Sequence, residues 1–151
     1  MAYLDVFNDL DTPYGVISAQ VNETNGIDAG EFVYPSGSTT ATRSNFKNTT
    51  LIEVSLCDAS GDEAKLCGIA MYDADDDEEI AVMTKGVFLF EANDTITAGQ
   101  MVCPEQANTA GSTVVPAESG GRQMGIALTA ASDGEYVLVL MTGLGPTGAE
   151  G

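Results

Sequence analysis

Hydrophobic positions in this chain recur with period two. Ile52, Val54 and Leu56 fall on one face and Glu53 and Ser55 on the other, the alternation of a half-buried strand and not the 3.6-residue stripe of a helix. Residues 87–90 (VFLF) are an unbroken apolar run, which reads as a buried strand. No window sustains a helical stripe, and Gly, Thr, Asn and Asp punctuate the chain every eight to twelve residues. This pattern predicts an all-β protein, a small β-barrel or β-sandwich.

Self-similarity organises these strands into two halves. Residues 67–86, CGIAMYDADDDEEIAVMTKG, align without a gap to residues 124–143, MGIALTAASDGEYVLVLMTG, with eight of twenty positions identical. Upstream of each lies a second pair, IDAGEFVYP at 27–35 and ITAGQMVCP at 96–104, with five of nine identical. The order is the same in both halves, so the sequence predicts an internal duplication. Each unit should enter through an Ala-Gly turn (Ala29-Gly30, Ala98-Gly99), run into a short strand ending at Pro35 or Pro104, and close with a hairpin. In the second half Asp133-Gly134 marks that hairpin, since both residue types tolerate positive φ. The predicted organisation is an N-terminal segment or arm at 1–14, a β domain at 15–143 with halves 15–86 and 87–143, and a Gly-rich tail at 144–151.

Charge narrows the partners. Twenty-three Asp and Glu face five Lys and Arg, a net charge of −18. Such a surface repels phosphate backbones and anionic membrane surfaces, so neither nucleic acid nor membrane is expected as a partner. The longest strongly apolar run, 136–141, is far below the roughly 20 residues of a membrane helix. Residues 1–10 carry Asp5 and Asp9 and no basic stretch, so no secretory signal is read. Self-repulsion at this charge strains a thin core in dilute buffer. At about 1 M salt the Debye length shrinks to roughly 3 Å and most of the strain disappears. The composition therefore points to a halophilic setting.

Candidate chemistry is sparse. The chain has no His, which removes Ser-His and Cys-His pairs and imidazole metal ligation. Cys57, Cys67 and Cys103 lack metal-type spacing, and an odd number allows at most one internal disulfide. The acidic run at 73–79 (DADDDEE) fails the calcium-loop template because Glu78 stands where glycine must turn the chain. It reads as a solvated hairpin tip. The G-x-G-x-x-G at 143–148 has no room for the helix a dinucleotide site needs and reads as tail. Sequons at Asn22, Asn48 and Asn93 read as chance triplets. No carboxylate pair stands out among so many, so no catalytic, cofactor or metal residues are assigned and the protein is expected not to be an enzyme. Partner contacts are expected instead at the apolar N-terminal segment, through Tyr3, Leu4 and Phe7, and at the insertion unique to the first half, through Arg43, Phe46 and Lys47.

The stretch KGVFLFEANDTITAGQMV followed by GIALTAASDGEYVLVLM resembles the head-decoration, or capsid cement, proteins of tailed viruses. The family's Ala-Gly turn falls at Ala98-Gly99 and its G-I-A-L-x-A-A-S-x-G-E motif at 125–135. The resemblance implies a compact β-barrel-like protein with no catalytic residues or cofactor. It implies a homotrimer bound to the major capsid protein on the outer capsid surface of a virion, reinforcing the shell. Extreme acidity suggests a virus of halophilic hosts. A trimer is also expected to cover strand edges that so small a monomer leaves open. Another virion β protein (a turret or tail component) and a halophilic carbohydrate-binding module are the alternatives; the absence of Trp weighs against the second.

Overall fold

The computed structural model describes residues 15–40, 42–44, 52–59, 61–105, 112–117 and 122–141. Ten strands cross these residues: β1 Val16–Val21, β2 Phe32–Pro35, β3 Glu53–Leu56, β4 Gly68–Ala70, β5 Glu79–Met83, β6 Gly86–Ala92, β7 Met101–Pro104, β8 Thr113–Pro116, β9 Gly125–Ala127 and β10 Tyr136–Met141. A 3₁₀ turn, Asp62–Lys65, joins β3 to β4. The first five strands close on themselves in the order β1-β3-β2-β4-β5, and the second five repeat it as β6-β8-β7-β9-β10. Each half is a closed barrel, antiparallel except for one parallel contact, β1 with β3 and β6 with β8. Closure satisfies the edges within each half. The expectation that a trimer must cover open edges therefore falls away.

Equivalent hydrogen bonds prove the repeat at atomic level. Ile27 N donates to Ala74 O at 2.8 Å, as Ile96 N does to Ala131 O at 2.8 Å. The Ala-Gly turns match: Gly30 and Gly99 both sit at φ +89°, with amides donating to Ala70 O (2.9 Å) and Ala127 O (2.7 Å). That φ is open to glycine without penalty. The next residue closes each turn with its side chain, Glu31 Oε2 accepting from Asp28 N at 2.7 Å and Gln100 Oε1 from Thr97 N at 3.0 Å.

A five-stranded barrel is narrow, and the interior is built to suit. Val33, Val54, Ile80 and Val82 fill the first with Ala19, Ala70 and Ala74. Val102, Val114, Val137, Val139 and Met141 fill the second with Ala92, Ala127 and Ala131. Four residues of the first half, Phe32, Cys57, Leu66 and Ile69, belong to this second core. Phe32 meets Phe90 at 5.1 Å between ring centroids, inclined 52°, and Arg122 Nη1 donates to Leu66 O at 3.3 Å. The two barrels are thus joined through packed side chains as well as through the chain.

Three sequence expectations need correction. Ser55 was placed on a solvent face but is buried, because its hydroxyl donates to Asn22 O at 2.5 Å and lies 2.8 Å from Ser36 Oγ. The Asp133-Gly134 turn is not a two-residue hairpin. Gly134 alone has positive φ (+83°), and its amide donates across the barrel to Ala92 O at 2.8 Å. This pulls the β9–β10 loop wide, while Asp77 takes the equivalent left-handed position at φ +67° in the first half. Residues 87–90 are only half interior: Phe90 is buried, whereas Val87 and Leu89 point outward.

Candidate docking surface

Strand alternation gives β6 two apolar faces. Ala92 and Phe90 are buried with Phe88 packed against the core, while Val87, Leu89 and Glu91 are exposed. Register then aligns the outward residues of four strands. Val87 pairs with Leu140, Leu140 with Ile126, and Ile126 with Met101. In the next row Leu89 pairs with Leu138, and Leu128, whose amide donates to Leu138 O at 2.7 Å, extends it. Tyr136, opposite Glu91, ends the face.

The exposures are high for such residues: 60% for Leu89, 56% for Val87, 63% for Tyr136 and 47% for Leu128. Scattered surface apolar residues are ordinary, but a contiguous patch marks an interaction site. The two apolar rows carry no charge, in a chain of net −18. Glu91 alone among the residues of these rows and the next is ionisable as a carboxylate. Beside the patch runs a cleft of about 320 Å³ between the halves, lined by Asp28, Ala29, Gly30 and Glu31 on one side and Leu89, Phe90, Glu91 and Tyr136 on the other. Burial pushes the Glu31 carboxyl up, against the lowering effect of its bond to the Asp28 amide.

The repeat supplies the comparison. Met101 and Ile126 occupy the positions that Phe32 and Ile69 hold in the first barrel, since each pair faces across the corresponding strands. Phe32 and Ile69 are 0% and 2% exposed, whereas Met101 and Ile126 are 38% and 40% exposed. Sequence reasoning did not find this face. The signal was present in the ungapped alignment, where Glu79 corresponds to Tyr136 and Ala81 to Leu138. A polar-to-apolar change at an outward position separates the two faces.

Of the contact residues expected from sequence, Arg43 is exposed. Tyr3, Leu4, Phe7, Phe46 and Lys47 lie outside the described residues, as does the 143–148 glycine motif. The acidic run at 73–79 is exposed apart from Ala74, as its reading as a solvated tip requires. Its carboxylates brace the loop, with Asp73 Oδ1 accepting from Ala29 N at 2.8 Å and Asp76 Oδ1 from Glu23 N at 3.0 Å. Lys65 is held by Asp62 at 2.8 Å and lies 4.1 Å from the Tyr34 ring centroid. Cys57 and Cys103 are buried thiols pointing at the carbonyls of Asp62 and Pro116, each at 3.6 Å. Burial pushes the Cys67 thiol up to about 11, although Arg122 acts in the lowering direction.

Fold and surface together define a duplicated β-barrel protein with an outer face suited to docking. The chain belongs to the phage cement protein family, whose profile matches residues 14–142. Among solved structures it is similar in fold to the head fiber gp8.5 N base of bacteriophage phi29, at 16% identity and a TM-score of 0.54, over 90% of this chain and 99% of that one. No curated protein sequence matches it.

Proposed function

We propose that this protein decorates the outer surface of a phage head, bound to the major capsid protein as a homotrimer at sites of local three-fold symmetry. Membership of the phage cement family carries the structural, capsid-bound role. Reinforcement follows from valency. A standard interface buries only about 800 Å² per partner, but three linked copies make the second and third shell contacts intramolecular, adding a factor of roughly 10²–10⁴ in avidity. The apolar N-terminal segment, through Tyr3, Leu4 and Phe7, and the insertion carrying Arg43, Phe46 and Lys47 supply the shell contacts. The acidic run at 73–79 faces solvent, because gathering it at an interface would crowd like charge. Cryo-imaging of particles with and without the protein tests this. Three-lobed density outside the shell at three-fold positions is expected; density inside the shell, or single lobes, would overturn the reading.

The same reading places the phage in a saline host. With −18 to screen, the melting temperature of the purified protein should fall steadily as salt is lowered from molar to about 0.05 M, where screening lengths exceed 10 Å. An unchanged melting temperature across that range would remove the halophilic assignment.

A further inference from the structure

We propose that the cleft between the two barrels is a seat for a basic side chain, so that a partner protein docks there by presenting a lysine or an arginine. The inference goes beyond the decoration reading and does not depend on it.

The two walls of the cleft come from different halves. One is the Ala-Gly turn of the first barrel, with Asp28 and Glu31, and the other is the β6–β10 pair of the second, with Leu89, Glu91 and Tyr136. Tyr136 and Glu91 are cross-strand partners, which sets their side chains next to each other on one face. About 320 Å³ lies between the walls, and none of the described lining residues is basic. Three carboxylates therefore border one space with no cation among them. Burial pushes the Glu31 carboxyl up, and the charges of Asp28, Asp58 and Asp73 act in the same direction. A positive group relieves such crowding, and salt screens it less at a half-buried carboxylate than at an exposed one.

The repeat shows how both walls depart from their twins. Where the first Ala-Gly turn has Asp28 and Glu31, the second has the neutral Thr97 and Gln100. Where the second barrel has Leu89, Glu91 and Tyr136, the first has Ser18, Gln20 and Glu79. The acidic version of the turn thus meets the version of the strand pair that carries an aromatic ring, a leucine and a carboxylate.

The chain already holds one ammonium in this manner. Lys65 Nζ lies 2.8 Å from Asp62 Oδ1 and 4.1 Å from the centroid of the Tyr34 ring. Tyr136 and its neighbouring carboxylates offer the same two elements to a cation from outside. Leu89 adds apolar surface for the alkyl stem, which long basic side chains bury while the charged head keeps polar company. A bare metal ion fits less well. Among the described residues no three acidic or thiol side chains converge to hold one, and a hard cation gains nothing from a ring or a leucine beside it.

The test uses the full chain in the lowest salt at which circular dichroism shows it folded. The probes are acetyl-Gly-Arg-Gly-amide and the same peptide with citrulline, a neutral side chain of nearly the same shape. Amide shifts in nitrogen-15 NMR are followed during titration. The arginine peptide should give saturable shifts at Gly30, Glu31, Leu89, Glu91 and Tyr136, and the citrulline peptide none. Glu31→Gln with Glu91→Gln should weaken binding at least fivefold. The turn should survive, since Gln100 makes the equivalent bond in the second half. Tyr136→Ala should weaken binding several-fold with every carboxylate in place. Asp75→Asn with Glu79→Gln removes two exposed charges outside the cleft and should leave the affinity unchanged. Equal weakening by the two charge-removing pairs would mean attraction to the net charge alone and would overturn the seat. So would absent shifts, equal binding of the citrulline peptide, or shifts confined to Ile126 and Leu138.

Discussion

Phe32→Ala should cost about 3–5 kcal/mol of stability, at the upper end for core truncations. Phe32 is fully buried, yet it lies in the core of the barrel to which it does not belong. Removing its ring leaves a void beside Phe90 and the paired Ile69, in the core shared by the two halves. A side chain of one half is thereby lost from the core of the other, and the coupling between them weakens. Urea unfolding is expected to show both a lower midpoint and a broader or divided transition as the barrels lose cooperativity. Tyr72→Ala, at a position 46% exposed, should stay within roughly 0.5 kcal/mol of wild type. Equal effects of the two substitutions would mean that the barrels are not energetically joined through Phe32.

Gly125→Ala should be the more damaging of two glycine substitutions that look alike on paper. A methyl group at Gly125 would sit 2.9 Å from the carbonyl carbon of Leu140, closer still to its oxygen, and 3.0 Å from Val139 Cγ1. The obstruction is backbone, so β9 and β10 must move apart, at a cost of about 1–3 kcal/mol or more. Gly68 has the same surroundings in the first barrel, 2.6 Å from Met83 O. Gly99, in contrast, opens onto free space and needs glycine only for its φ of +89°. Gly99→Ala should cost about 1–2 kcal/mol through the backbone alone. Thermal melts of Gly125→Ala and Gly99→Ala made side by side check the order. A smaller loss at Gly125 would mean that β9 and β10 do not approach as closely as described.

The duplication was legible because each half carries its turn and hairpin signals in the same order. Both Ala-Gly turns, with their bonds to Ala70 and Ala127, stand where the repeat put them. Barrel closure was not legible. The parallel contacts that seal each half join Val21 to Val54 and Ala92 to Val114, and such distant pairings leave no local trace. Burial at Ser55 was hidden for another reason: a serine reads as solvent-facing until its acceptor, Asn22 O, is known. The docking face was missed because period-two logic assigns one apolar face per strand. In β6 both faces are apolar, so Val87 and Leu89 were indistinguishable from interior residues. The expected contact residues at the N-terminus and at Phe46 and Lys47 fall outside the described residues, so the candidate site now rests on a different set of side chains.

The pairing of β1 with β5, from Val16 opposite Met83 to Gln20 opposite Glu79, fixes an order of events on the ribosome. β1 can meet β3 earlier, but it finds its long antiparallel neighbour only when the last strand of its half has emerged, so the first barrel completes as a unit before β6 is available. Domains fold as units during synthesis, N-terminal first. Until the second half arrives, Phe32, Leu66 and Ile69 have no surface to rest on. The nascent first barrel is therefore a sticky intermediate, and the second half of the same chain, tethered directly after Met83, is positioned to reach it ahead of any stranger.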